Sequence, residues 1–237
     1  MNPPRTDPSW RTLYLIGAAS AAAFVVMVLV PVVLLFAAPI PPTEGRALLE
    51  YIAEHPVVYL TQLVSFVGLA VPALLVFTAL AVAVKGVNKS LALVGGLFGV
   101  ASEVIALALG SSPQSLHGGL MVLSDSYASA SDGERAGLVS AAEALIAATN
   151  AVSWAGILTA AAILILSAVM LRAGSGKAVA VLGILTGALG LVSETFRPYM
   201  GMSYMIYGLM LPAWFGLVGW RLWRITRVAP EGTEWES

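Results

Sequence analysis

The sequence contains no cysteine and very little charge. The absence of cysteine excludes disulfides, thiolate metal sites and cysteine nucleophiles. Asp, Glu, Lys and Arg make up 11% of the 237 residues, whereas soluble domains carry about 25%. So few charged side chains cannot cover the surface of a water-soluble globule. Most of the surface must therefore face an apolar medium, which predicts an integral membrane protein.

Histidine is almost as scarce, and no face of the chain is strongly basic. The two histidines, His55 and His117, lie outside the apolar runs, so they cannot ligate a haem within the membrane. The net charge of −1 gives no reason to expect a nucleic-acid partner. We find no P-loop, serine-protease pattern or intramembrane aspartate pair. The sequence therefore predicts no catalytic residue, metal or cofactor, and an enzyme is the least favoured class.

Long apolar runs are the abundant feature, since 59% of the residues are hydrophobic. A helix needs about 20 apolar residues to cross a bilayer. Six runs qualify, and they predict an all-α polytopic membrane protein with six transmembrane helices. The first run exceeds the apolar core of a signal peptide, about 7–15 residues, so we expect a retained span. The predicted spans are residues 13–38, 57–84, 91–110, 149–171, 178–193 and 202–220.

The distribution of Lys and Arg predicts the orientation of the spans. Nine of the twelve basic residues lie in the N-terminus, the two short connections and the C-terminal tail. The positive-inside rule then places both termini in the cytoplasm of a multi-pass plasma-membrane protein. An even number of spans agrees. Trp10, Trp220 and Trp223 fall at the predicted inner boundary, where aromatic rings concentrate.

The two long outer connections contain predicted amphipathic helices. Thr43 is placed to cap a helix that leads towards the second span. Ser131 and Glu134 form a capping-box pattern at the start of the second outer helix. The serine-rich run 124–131 is interpreted as an outer loop that ends at this cap. The polar tail, about 228–237, is expected to be disordered, and the rest forms a single membrane domain.

An internal repeat connects these segments. Residues 43–68 align without gaps with residues 131–156, and the aligned pairs include Gln62 with Asn150 and Ser65 with Ser153. Residues 96–103 then match residues 187–194. Because polar residues are scarce here, matched polar positions favour a duplication over chance. The predicted units are about 43–110 and 131–198, and they run in the same direction, as in some transporters.

Two glutamates stand at equivalent positions of this repeat, each above a row of glycines. Residues three, four, seven or eight apart share a helix face. Glycines on a span allow neighbouring helices to approach, so we expect these faces to point into the bundle. Glu103 and Glu194 should point inward with them, because lipid exposure of a charge costs about 2.5–3.5 kcal/mol at mid-bilayer. Arg197 is the nearest cation in the sequence.

Polar residues at a similar depth complete the candidate site. Gln62 and Ser65 share one face of the second span, Asn150 and Ser153 repeat this spacing, and Glu143 lies two turns before Asn150. One hypothesis is an outward-facing pocket that binds a small molecule or ion. The alternative is that the carboxyl groups are packing partners, hydrogen-bonded to Gln62 and Asn150. The predicted ligand-binding residues are Glu103, Glu194, Arg197, Gln62, Ser65, Asn150, Ser153 and Glu143.

The arrangement resembles a bacterial family of six-span integral membrane proteins that is defined only as a domain of unknown function. The resemblance rests on the basic N-terminus, the outer segment 43–56 and the long outer loop that leads into residues 141–172. It implies a membrane location and six helices, and it supplies no activity or site residues.

Two functional classes remain open at this point. The first is a permease-like protein for a small molecule or an ion, with the lipid bilayer as its surroundings. The second is a non-transporting membrane protein, such as a sensor, an assembly partner or an accessory subunit. In that case the outer helices would form the contact surface.

Overall fold

The structure is a computed structural model that describes residues 8–34, 36–110, 116–149, 153–174 and 176–227. Within these ranges it is helical, and it contains no strand. Two short 3-10 helices, Pro8–Trp10 and Gly201–Ser203, accompany the α-helices. The α-helices are α1 Arg11–Leu34, α2 Gly45–Glu54, α3 Pro56–Gly68, α4 Ala70–Val84, α5 Lys89–Gly110, α6 Leu116–Ser129, α7 Asp132–Thr149, α8 Trp154–Arg172, α9 Lys177–Thr195, α10 Arg197–Met200 and α11 Tyr204–Arg227.

Six helical segments are long and apolar enough to cross a membrane, which confirms the predicted number. They are α1, α3 with α4, α5, α8, α9, and α10 with α11. The bounds differ from the prediction at several places. The first helix ends at Leu34 rather than at residue 38. The fourth begins at Trp154, because Ser153 caps it, and the last continues to Arg227.

The second span consists of two helices with a break at Leu69. Pro72 has no backbone N–H, so it cannot donate to the carbonyl of Gly68 one turn earlier. The helical ladder resumes at once, since the N–H of Ala73 donates to the carbonyl of Leu69 at 3.1 Å. The proline thus explains why the break lies one turn before it.

The six spans pack in chain order into a closed ring. Neighbours along the chain touch, and α11 returns to pack on α1. The second span also reaches α8 and α11 across the ring. The centre is filled by Phe77, Trp214 and Phe215, which are each at most 1% exposed and whose rings contact one another.

The two ends of this ring differ. One end, which we call the terminal end, carries the short connections, the start of the first span and the end of the last span. There, Lys85, Arg224 and Arg227 lie over the rings of Trp10, Trp220 and Trp223, with distances of 4.0–4.9 Å to the ring centroids. The opposite end, which we call the loop end, carries the long connections.

Helices α2, α6 and α7 pack together at the loop end, and we call this group the cap. It has its own small core, separate from that of the spans, formed by Leu48, Leu49, Tyr51, Ile52, Leu120, Tyr127 and Ala142. On α2 the opposite face, with Arg46, Glu50 and Glu54, is exposed. Ser131 and Glu134 form the predicted capping interaction, because the Ser131 N–H donates to the Glu134 carboxylate at 3.0 Å.

Two predictions for the outer segments are wrong. The serine-rich run is not a loop, since α6 continues to Ser129. Ser124 is buried and donates to the carbonyl of Leu49 at 2.7 Å, so tertiary contacts outweigh the loop-like composition. The residue before the first outer helix is Glu44 rather than Thr43.

The helix boundaries of the two proposed repeat units differ. The first unit has a boundary at His55 and a break at Leu69, whereas α7 is continuous through the positions that align with His55. The duplication therefore stays a prediction from the sequence. The predicted tail, about 228–237, lies outside the described residues.

Candidate functional site

Glu103 lies on a glycine-lined face of α5 that packs against two helices. Gly99 adjoins the ring of Phe77 on α4, and Gly95 adjoins Leu166 on α8. Any larger residue at these glycines would collide with those side chains. Glu103 continues this face towards the loop end and is only 8% exposed. The glycine pattern therefore predicts its inward orientation correctly.

Glu194 occupies the corresponding place on α9, where the glycines also pack closely against neighbouring helices. A side chain at Gly187 would meet the backbone nitrogen of Leu164 at 2.7 Å, and one at Gly190 would meet the ring of Tyr207 at 2.6 Å. The glycine face of α9 thus lies between α8 and α11. Glu194 is 4% exposed, so it also points into the bundle.

The two glutamates approach α8 from its two neighbours in the ring. Glu103 contacts Thr159 of α8, and the carboxyl group of Glu194 lies against Gly156, one turn earlier on the same helix. The absence of a side chain at Gly156 makes room for that carboxyl group. Tyr207 of α11 is buried, and its ring adjoins Gly190, one turn before Glu194 on α9.

The carboxyl group of Glu194 has two identified partners. The Tyr204 hydroxyl donates to its Oε1 at 2.6 Å. The Arg197 guanidinium lies 3.8 Å from its Oε2 and also over the Tyr204 ring. Oε2 is buried but forms no hydrogen bond within the described part of the chain. Arg197 therefore balances the charge of Glu194, and one oxygen is left to interact with something else.

Glu103 is surrounded by hydroxyl groups instead of a cation. Its Oε1 lies 3.1 Å from the Ser102 hydroxyl and 3.2 Å from the Thr159 hydroxyl. These two hydroxyls are 2.9 Å apart. Among the described residues, no Lys, Arg or His forms an ion pair with Glu103. Because a buried carboxylate without a counter-charge is costly, Glu103 must acquire a proton or a cation.

The structure does not place Gln62 with the glutamates. Gln62 lines an open apolar groove of about 440 Å³ between α1 and α3, together with Pro31, Tyr59 and Phe66. Glu103 bonds to Ser102 and Thr159 rather than to Gln62. This overturns the expected pairing of Glu103 with Gln62. Ser65, one turn further along, is buried at 8% exposure.

The remaining predicted residues have different positions. Ser153 caps α8 and accepts from the N–H of Gly156 at 3.1 Å, so it positions the backbone that faces Glu194. Glu143 belongs to the cap, where its carboxylate accepts from the N–H of Gly45 at the first turn of α2. Asn150 lies outside the described residues.

Four polar residues of this site were not predicted: Ser102, Thr159, Tyr204 and Tyr207. Ser102 directly precedes Glu103, and the Ser-Glu pair recurs at Ser193 and Glu194, so a signal was present. Thr159 lacks such a signal, because only the packing of α8 on α5 brings it to Glu103. The tyrosines sit at the start of α11, three residues apart, which is the spacing of one helix face.

No protein-family model, curated protein or solved structure matches this chain. Functional conclusions therefore have to come from the geometry of the chain itself. Among the described residues, no three His, Cys, Asp or Glu side chains cluster as metal ligands. The distinctive chemical feature at the loop end is the pair of buried carboxyl groups on either side of α8.

Proposed function

We propose that this integral membrane protein is a permease-like protein that binds an ion or a small cationic molecule at Glu103 and Glu194. The observation that carries this proposal is the burial of two carboxyl groups against one turn of α8, and among the described residues only Glu194 has a counter-charge. Ionisable groups inside spans are costly, and they commonly mark the paths of substrates and ions.

The surroundings of the two groups suggest different roles. Glu194 is held by Tyr204 and Arg197, so it is oriented and its charge is balanced. Glu103 has hydroxyl partners and no ion pair within the described residues. Glu103 would therefore carry the ligand, and Glu194 would shape the neighbouring wall. Both lie in the part of their helices that adjoins the loop end, which supports access from that side.

Uptake into proteoliposomes tests the proposal. Glu103→Gln and Glu194→Gln keep the shape of the side chains but remove the charge and replace one acceptor oxygen by an amide donor. We expect both variants to fold with wild-type yield, the Glu103 variant to lose uptake and the Glu194 variant to lose a large part of it. An exposed carboxylate of the cap, changed by Glu54→Gln, is the control. Wild-type uptake rates in both variants would exclude the proposal.

The cap supports the second candidate, a non-transporting sensor or assembly partner. Its three helices have a core of their own, so they could fold as a contact surface above the spans. In this case, substitutions on the exposed face of α2, such as Arg46→Glu and Glu54→Lys, would disrupt a complex in the native membrane. The same substitutions would leave a permease active in proteoliposomes, which separates the two candidates.

A further inference from the structure

Three side-chain oxygens form a small triangle at Glu103. The Ser102 and Thr159 hydroxyl oxygens are 2.9 Å apart. They lie 3.1 and 3.2 Å, respectively, from Glu103 Oε1. Two helices supply this triangle, since Ser102 and Glu103 lie on α5 and Thr159 on α8. Ser102 is fully buried and Thr159 is partly exposed, so the triangle is shielded without being sealed.

The hydroxyl protons are too few for these contacts. The Ser102 hydroxyl also lies 2.8 Å from the carbonyl of Gly99, so four oxygen–oxygen contacts of 2.8–3.2 Å converge here. Ser102 and Thr159 each supply one proton. With an ionised Glu103, at most two contacts are hydrogen bonds at any moment. At least two close pairs of oxygen atoms then face each other without a proton between them, which is unfavourable unless Glu103 takes up a proton or a positive ion lies among them.

We propose that the Ser102–Glu103–Thr159 triangle is one face of a binding site for a small monovalent cation, Na⁺. This inference deepens the proposed function, because it names the ion class that Glu103 would bind. The three oxygens would contact the ion, and water from the loop end would complete its coordination.

Both the charge and the spacing of the triangle favour Na⁺. One carboxylate neutralises one positive charge, whereas a divalent ion would leave an excess charge buried in the membrane. An ion with oxygen contacts of about 2.4 Å, the distance typical of cations of this radius, has octahedral edges of about 3.4 Å. The observed spacings of 2.9–3.2 Å are close to this value. The larger K⁺ would force the oxygens further apart.

Thermal unfolding of the full-length protein in detergent tests the site independently of transport. An ion that binds only the folded state raises the melting temperature, and above its dissociation constant the rise continues with the logarithm of the ion concentration. NaCl should therefore raise the melting temperature progressively when it replaces choline chloride at constant ionic strength. KCl should have a smaller effect at equal concentration.

Two variants and one control make this measurement specific. Glu103→Gln should abolish the Na⁺ effect, and Thr159→Val should raise the Na⁺ concentration needed for a given rise in melting temperature by roughly tenfold, because it removes one ligand. Thr78→Val is the matched control, since that partly buried hydroxyl bonds only within its own helix, to the carbonyl of Leu74 at 2.9 Å. It should leave the Na⁺ effect unchanged.

Several outcomes would overturn the Na⁺ site. One is an equal melting temperature in NaCl and choline chloride, and another is an unchanged Na⁺ effect in Thr159→Val. A third is a stabilisation that depends on pH but not on Na⁺, which would assign the site to a proton. Should Glu103→Gln fail to fold, Thr159→Val still decides. Na⁺ binding without any uptake would contradict the permease and leave the site standing. Uptake that depends on Glu103 but not on Na⁺ would support the permease and contradict the Na⁺ site.

Discussion

At the scale of single residues, the environments of the two glutamates distinguish them. Glu194 has a hydroxyl donor and a guanidinium within reach, while Glu103 has two hydroxyls and no ion pair in the described part of the chain. Equivalent positions in the sequence therefore lead to different chemistry. The difference arises from the neighbouring helices, because α11 supplies Tyr204 to one glutamate and α8 supplies Thr159 to the other.

The bond from Tyr204 to Glu194 should contribute measurably to stability. Tyr204→Phe leaves a buried carboxylate oxygen without its donor, which typically costs about 1–3 kcal/mol. Reversible unfolding in mixed detergents would measure the loss. Tyr199, 87% exposed, provides the control, and Tyr199→Phe should be neutral. Equal stability of the two variants would show that the Tyr204 hydroxyl contributes nothing.

At the scale of elements, the close packing of α9 on α8 brings Glu194 against α8. The glycines of α9 permit this packing because they have no side chains. The sequence predicts this face correctly because small residues on an apolar span have few other uses. It does not predict the position of Gln62, because the contact of α3 with α1 depends on tertiary packing. The identity of Thr159 as a partner depends on helix register in the same way.

A glycine exchange tests the packing of these helices. Gly187→Ala places a methyl group against the backbone of Leu164 and Ala160, so α8 and α9 must separate. We expect a loss of about 1–3 kcal/mol in unfolding free energy, as for other overpacked cores. Gly208→Ala on α11, where nothing lies within 4 Å of the added methyl group, should be neutral or stabilising. A neutral Gly187→Ala would contradict the observed helix contact.

The start of α7 makes a prediction about pH. The Ser131 hydroxyl and N–H donate to the Glu134 carboxylate and hold the pKa of Glu134 below its ordinary value. A lowered pKa means that the capping interaction is complete above the ordinary carboxyl pKa and is lost as the pH falls through the lowered one. NMR titration should show that Ser131→Ala raises the pKa of Glu134. Identical titration curves of Glu134 in the wild type and the variant would rule out a hydrogen bond from the Ser131 hydroxyl.

At the scale of the whole molecule, composition alone predicts the class of protein and the number of spans. Scarce charge and six long apolar runs leave few alternatives. The folded cap was predicted only in part, since α6 is hidden in a serine-rich sequence whose helical form depends on contacts such as Ser124 with Leu49. Orientation in the membrane remains a prediction from the positive-inside rule.

The absence of cysteine makes the orientation easy to test, because any introduced cysteine is the only thiol in the chain. Asp132→Cys lies at a fully exposed position of the cap, and Gly86→Cys lies in an exposed short connection at the terminal end. A membrane-impermeant maleimide applied to intact cells should label the first variant and not the second. The opposite pattern would place both termini outside.

The most direct test of a ligand-binding carboxyl group at the loop end is carbodiimide labelling of Glu103, followed by mass spectrometry of the intact protein and its peptides. A hydrophobic carbodiimide modifies carboxyl groups in apolar surroundings, and a bound cation protects them. The proposed site predicts labelling of Glu103 in choline chloride and protection when Na⁺ replaces choline. Equal labelling in both salts, or no labelling in either, would contradict a cation-binding site at Glu103.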